Sequence, residues 1–262
     1  MKGFTYYDYI KCIHSIRLYK GQGLAEEQVR YQIGEEKKTK NKQDKLVKTI
    51  FENKEEVEKL INGFLSPNKK IHRKDLIKYT KVYINKKSKS KDDYIVYKLK
   101  NKEIYFLIDY QSKIDNKLPE KILNYSVDII HEWSKERKGK IKINYPLIVP
   151  IVIYLGEEKW KIYNNFKVRN YENKNDKISI EYNLININKI SIKKLLDQKS
   201  LFGYSMILKK SKSKEELEKN LKLIIKLDKN KKYTEKLQKI IMYYINNVSE
   251  ETKEKLLKSL KN

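Results

Sequence analysis

The chain of 262 residues has one cysteine, Cys12. That excludes a disulfide framework and any zinc site built from several thiolates. Nothing in the sequence around Cys12 activates a thiol, so a core or neutral role fits it better than a nucleophile. The three histidines, His14, His72 and His131, are scattered with no metal-ligand spacing and fit surface or half-buried positions. There is no run of about 18 apolar residues, so no membrane-spanning helix is expected. The opening MKGFTYYDYIKCIHSIRLYKG lacks the apolar stretch and cleavage site of a secretory leader, so the expected compartment is the cytoplasm. Gly21-Gln22-Gly23 lacks the third glycine and the strand–helix context of a dinucleotide site. Arginine is scarce as well: only Arg17, Arg30, Arg73, Arg137 and Arg169 occur among 60 basic residues.

Lysine makes up the rest, and it stands with abundant Asn, Ile and Tyr, the residue set that AT-rich codons favour. A Lys-rich solvated surface therefore accounts for much of the net +26. The distribution points elsewhere. Residues 37–102 carry 21 Lys and Arg against 8 Asp and Glu, so +13 falls on a quarter of the chain. Such a local excess is what a side facing nucleic acid looks like. Hydrophobic residues at 39%, with 21 Tyr and 6 Phe, still suffice for a core. The length allows one large domain, or one with a small appendage.

Residues 1–42 read as an N-terminal extension ending in the charged linker EEKKTKNK. From Asp44, whose carboxylate suits a helix N-terminus, Leu46, Ile50, Val57, Leu60, Ile61 and Phe64 recur at helical spacing until Gly63 and Pro67. Residues 68–91 are basic and loop-like. Tyr94–Lys100 and Glu103–Asp109 then predict a β-hairpin turning at Asn101-Lys102, with the second strand apolar enough to be buried. Pro119 opens a helix with an apolar face at Ile122, Tyr125, Ile129 and Trp133. LIVPIVIYLG (147–156) predicts another buried strand, in which Pro150 implies a bulge or an edge position. Past about residue 190 the chain reads as helical, with amphipathic segments over 214–227, 233–248 and 250–260. The expected fold is α/β with mixed strand directions: a core over 43–190 and a C-terminal helical region over 191–262.

Asp109 is the informative residue. It ends an apolar strand, where a carboxylate is costly unless it binds something, and Gln111 follows two positions later. Capping of the strand or pairing with a lysine is the bland account of Asp109 alone. The wider sequence IYFLIDYQSKIDNKLPEKILNYSVDII, then YPLIVPIVIYLG, preceded by DLIKYTKVYINKKSKSKDDYIVYKLKNKE, resembles the YhgA-like transposases, also called the recombination-promoting nuclease family. These belong to the PD-(D/E)XK nuclease superfamily. The resemblance runs from about Asp44 to Gly156 and more faintly to Leu208.

It implies a restriction-endonuclease-like core and a metal-dependent DNA endonuclease, in which acids on neighbouring strands hold Mg²⁺ or Mn²⁺ and the metal activates water. The family's Glu-His-Gln-Ser matches Asp109-Tyr110-Gln111-Ser112, with the acid shorter by one methylene. Asp109 is thus the implied metal carboxylate and Gln111 the group that orients water. The family's His-Asp-Lys matches Gln43-Asp44-Lys45, and its helix Arg matches Lys121, which keeps the charge without the planar fork. The family's Asp on the first hairpin strand is here Tyr94, a poor ligand for Mg²⁺. Asp93 is adjacent but points to the opposite face unless the strand bulges; Asp92 shares the face but lies roughly 6–7 Å away along the strand. Asp44, Asp92 and Asp93 are the candidates to complete the metal site. DNA is the expected partner, with Lys86, Lys87, Lys89, Lys91, Lys113 and Lys121 facing it and the Tyr/Lys interleaving over 79–102 available for stacking. The C-terminal helices would pack beside the core or mediate a homodimer. The alternative, which Tyr94 and the shortened acid Asp109 favour, is a degenerate member that binds nucleic acid or itself without cutting.

Overall fold

The computed structural model describes residues 46–80, 94–137, 145–162, 165–169, 177–227, 234–245 and 254. The chain divides into the units Met1–Lys38 and Thr39–Asn262, and all described residues lie in the second. Asp44, Asp92, Asp93, Lys86, Lys87, Lys89 and Lys91 lie outside the described residues, as do Cys12 and His14.

The helical periodicity after Asp44 gives two helices rather than one. α1 covers 46–51, and α2 covers Lys54–Leu60. Asn53 interrupts them because its side chain accepts the Glu55 N–H at 3.1 Å, which starts a new helix. A π-helical turn, Ile61–Leu65, follows and ends at Ser66 in the left-handed region (φ 48°). The stretch expected as loop contains a short strand, β1, Leu76–Lys78. Only Leu76 of its three residues is buried, so no alternation was available to reveal it.

The hairpin strands are β2, Tyr94–Leu99, and β3, Ile104–Gln111. They turn through Asn101, which takes the left-handed conformation (φ 58°) that asparagine tolerates. Pro119 sits in the first turn of α3, Leu118–Lys135. β4 is Leu147–Tyr154. The ribbon β5 (Asn165–Arg169) with β6 (Lys177–Glu181) forms a separate two-stranded sheet, and β7 is Asn183–Asn186. Helices α4 (Ile192–Asp197), α5 (Leu201–Lys210), α6 (Lys214–Leu227) and α7 (Thr234–Ile245) close the described chain.

The main sheet runs β1-β2-β3-β4-β7. β1, β2 and β3 pair antiparallel; β3 with β4 and β4 with β7 pair parallel. This is the expected α/β core with mixed strand directions, compatible with a nuclease-like core. Pro150 makes no bulge: β4 stays in register with β3 from Ile104↔Leu147 to Gln111↔Tyr154. β7 begins opposite Ile151, so on its other side the Leu147–Pro150 stretch has no pairing to β7 and behaves locally as an edge. The missing N–H of Pro150 therefore breaks no ladder bond.

Strand alternation splits the core into two layers. Ile95, Tyr97, Phe106, Ile108, Ile151 and Ile153 face one side and pack with α1, α2, α5, α6 and α7. Val96, Tyr105, Leu107 and Val152 face the other side and pack with Leu118, Ile122, Ile129 and Trp133 of α3. Two polar contacts lock the thicker layer. The Tyr97 hydroxyl donates to the Phe51 carbonyl at 2.8 Å. Glu56, fully buried, accepts the Phe202 N–H at 3.0 Å at the positive end of α5. No helix among the described residues is long and apolar enough to cross a membrane.

Candidate active site

β3 lies between β2 and β4 and is covered on both faces, so a residue near its end is buried whatever its chemistry. Asp109 is only 3% exposed. A bare carboxylate at that depth would be strongly destabilising. Here Oδ1 accepts the Tyr110 N–H at 2.9 Å, and Oδ2 accepts Nε2 of Gln111 at 2.9 Å. Gln111 reaches it because residues two apart on a strand share a face. Gln111, to which the resemblance gives the role of orienting water, thus clamps the acid through its amide.

Across the sheet, Asp109 stands opposite Tyr94 of β2 and Val152 of β4. Directly opposed antiparallel residues present their side chains to the same face. Parity with Val96 and Leu107 sets that face as the α3 side. The Tyr94 ring stacks on Tyr125 of α3, centroids 3.9 Å apart and planes 31° from parallel. Its hydroxyl is buried and finds no hydrogen-bond partner among the described residues. Burial pushes the phenol above its ordinary pKa, and Tyr94 feels the Asp128 carboxylate and Tyr125 in the same direction. A neutral, stacked phenol therefore stands directly opposite Asp109.

The α3 helix is held in place over this site from its other end. Glu103, just before β3, accepts Nε1 of Trp133 at 2.6 Å and pairs with Arg137 and with Lys98 (3.3 Å). Arg137 also covers the Trp133 ring at 4.9 Å. Burial works to raise the Glu103 carboxyl, but the Trp133 hydrogen bond and the two cations outweigh it and hold it below the usual range. This clasp fixes the position of α3 along the sheet, and with it the place of Tyr125 over Tyr94.

Of the lysines expected to face DNA, Lys113 and Lys121 are described. Lys113 is exposed on the loop after β3. Lys121 lies one turn into α3 and pairs with Asp115 at 2.6 Å, closing that loop. Asp115 also accepts the Lys117 N–H at 2.9 Å. Burial tends to raise the Asp115 carboxyl; the Lys121 and Lys117 contacts outweigh it and hold it low.

Gly156 supports the same end of the sheet and was not singled out from sequence. The Leu155 N–H donates to the Gln111 carbonyl at 2.8 Å, which brings the exit of β4 against Ser112. A Cβ on residue 156 would lie 2.6 Å from the Ser112 carbonyl oxygen and 2.5 Å from the Tyr154 hydroxyl. A glycine directly after an apolar strand was the available signal. Tyr125 and Asp128 were also missed as site neighbours, since periodicity gives a helix face but not what lies beneath it.

The model of the family described as "Putative transposase, YhgA-like" matches residues 41–239. The chain belongs to this family. The YhgA-like match covers every element from α1 to α6 and enters α7. No curated protein and no solved structure matches the chain. Set against the YhgA-like expectation of two strand acids, the described residues offer Asp109 and Gln111 on one strand and a phenol on the next. No cluster of three His, Cys, Asp or Glu that would hold a metal forms among the described residues. The described residues alone do not fit a two-acid cage, which would need Asp44, Asp92 or Asp93 to complete it.

Proposed function

We propose that the protein acts on DNA at the Asp109 end of β3, as a metal-dependent endonuclease of the transposase-like type. The observation that carries this reading is the buried Asp109 carboxylate, clamped by Gln111 and directly opposite residue 94. A strand-end acid held in one rotamer by its own neighbour is preorganised for a positively charged ligand. Mg²⁺ or Mn²⁺, when bound, supplies an activated water and neutralises charge on the phosphate. Asp109 would hold the ion, and one of Asp44, Asp92 and Asp93 would complete its ligands. Gln111 positions Asp109 through Nε2 and keeps its amide oxygen to orient a water. Lys113, exposed beside this end of β3, would meet a phosphate.

Nicking of supercoiled plasmid in Mg²⁺ or Mn²⁺ tests the reading. Asp109→Asn keeps the shape and loses the charge, and cutting should stop. Gln111→Ala, which removes the clamp on Asp109, should slow cutting. Cutting by Asp109→Asn at the wild-type rate would remove Asp109 from the site.

Tyr94 supports a second reading, in which the protein binds DNA without cutting it. A stacked, neutral phenol opposite Asp109 leaves one carboxylate where an ion wants two. Salt-dependent DNA binding with no nicking by folded wild type in either metal would select this reading.

A further inference from the structure

At the opposite end of β3 from Asp109, the fold gathers lysines that the sequence places far apart. The 3₁₀ turn Arg73–Asp75 leads into β1, and Leu76 pairs with Leu99 at the tip of the hairpin. The Lys100 N–H donates to the Asp75 carbonyl at 2.6 Å. Lys74 thereby adjoins the Asp75–Lys100 backbone contact, and Lys102 follows it in the hairpin turn. The preceding loop is held rigidly, because the Asn62 side chain both accepts the Ile71 N–H (2.9 Å) and donates to the Ile71 carbonyl (2.7 Å). That loop presents Lys69 and Lys70.

Neighbouring cations on the same corner are matched. Arg73 pairs with Glu55, Lys78 with Glu52 and Lys98 with Glu103. Lys69, Lys70, Lys74, Lys100 and Lys102 are all exposed, and none is ion-paired to a described residue. Asp75 offsets one of these charges, and Lys70 lines a cavity together with Glu55, Glu58 and Asp197. Like charges held together on a braced corner repel unless a polyanion spans them.

We propose that this corner is a phosphate-backbone contact surface for duplex DNA, separate from the Asp109 end. The proposal rests on the reading of the protein as acting on DNA. Lys102 lies seven residues before Asp109 along the chain, the stretch from Ile104 onward in β3, and at ~3.3 Å per residue this spans at most about 23 Å. A duplex of about seven base pairs, at ~3.4 Å each, covers that span. The corner would anchor a duplex whose other part lies at Asp109. Its contacts are with phosphates, so they carry register and affinity rather than sequence.

The test uses the full chain and a 20-base-pair duplex, with affinity measured across a series of salt concentrations. One variant is Lys70→Gln/Lys74→Gln/Lys100→Gln/Lys102→Gln. The control removes the same charge from α6: Lys214→Gln/Lys219→Gln/Lys222→Gln/Lys226→Gln, all exposed. Each phosphate-contacting cation contributes about 0.9 to the slope of log affinity against log salt. The corner variant should flatten the slope by about 2–4 and lose at least tenfold in affinity at low salt, while the control should flatten it by less than about 1. Equal effects in the two variants, no effect in either, or no DNA binding by wild type would overturn the proposal. So would loss of binding to phosphatidylserine vesicles in the corner variant with DNA affinity unchanged. Because the readout is binding, a corner that passes in a protein that never nicks plasmid refutes only the cutting, and a protein that nicks with an unchanged slope refutes only the corner.

Discussion

Tyr94→Asp restores a carboxylate opposite Asp109, and its effect on stability should depend on divalent metal. The loss has two parts. Removing a half-buried, stacked ring forfeits about 2 kcal/mol of burial and about 1 kcal/mol of stacking on Tyr125. The new carboxylate stands on the same face as Asp109, with Cβ atoms about 5 Å apart. Two like charges at that distance repel by about 3 kcal/mol at an effective dielectric constant of ~20. The sum, about 6 kcal/mol, is a large part of the 5–15 kcal/mol that holds a typical domain together. An ion between the two acids cancels the repulsion and adds its own binding. At a free metal concentration of about 100 times Kd the linkage alone returns ~2.7 kcal/mol, or a Tm rise of about 5–10 °C in a domain of this size. Tyr94→Asn is the control: it loses the same ring and gains no charge, so it should be destabilised by about 3 kcal/mol in chelator and respond little to metal. Urea unfolding and thermal melts of wild type and both variants, in EDTA and in 10 mM Mg²⁺, read this directly. If Tyr94→Asp gains no more from Mg²⁺ than Tyr94→Asn, or stays unfolded in both, then residues 94 and 109 do not converge on one ion and the placement of the site is wrong.

Two further outcomes concern the scaffold around the site. Gly156→Ala drives a Cβ against the Ser112 carbonyl oxygen, a backbone atom with no rotamer to yield, so a loss of about 1–3 kcal/mol in urea unfolding is expected; a change under about 0.5 kcal/mol would mean the turn moves freely. Glu56 has its carboxyl raised, chiefly by burial that outweighs the Phe202 and Leu201 backbone N–H groups and Lys59. The folded state therefore holds this proton more tightly than the unfolded chain, so the contribution of Glu56 is fully present below about pH 4.5 and is lost as pH rises through the folded pKa. Glu56→Gln, whose amide oxygen still accepts the Phe202 N–H, should lack that decline; parallel stability–pH curves for wild type and variant would refute the assignment.

The parts of the fold legible in sequence are those where one period runs long enough to be seen. β2 and β3 are β-branched and aromatic runs of six and eight residues, and α3 keeps its apolar face over 18. β1 and β7 are three and four residues long, and each gains its place from a neighbour's free edge rather than from its own pattern. The interruption at Asn53 was hidden for a different reason. Leu46, Ile50, Val57 and Leu60 keep helical spacing straight through it, because both helices lean on the same core. The order helix, hairpin, helix, strand was enough to give the class of the fold, since parallel β3 and β4 need a crossover and α3 is the helix between them.

Of the candidate site, the strand placement of its residues was legible and their contacts were not. The hairpin placed residues 94 and 109 on neighbouring strands, and the register sets Tyr94 directly opposite Asp109. That Gln111 turns back on Asp109 was not legible. The i, i+2 spacing makes such a bond available on any strand, and only burial of the carboxylate makes it necessary. Lys121 shows the reverse: its charge suited a phosphate, yet Asp115 six residues earlier engages it once the β3–α3 loop closes.

The alternation of the sheet also explains how residue 94 can change chemistry without loss of the fold. The side facing α1, α2 and α5–α7 carries most of the apolar core, and residue 94 points away from it. An acid at this position would face Asp109 and depend on a cation. A tyrosine needs none, because its ring finds Tyr125, held over it by the Glu103–Trp133–Arg137 clasp. The same strand position can thus be satisfied by charge with a ligand or by stacking without one. The remainder of the Asp109 end, including the Gln111 clamp and the close passage of Gly156, stays the same in both states. On the proposed reading, the contribution of residue 94 to cutting or binding acts on this face of β2, where metal-dependent stability of the residue-94 variants measures it.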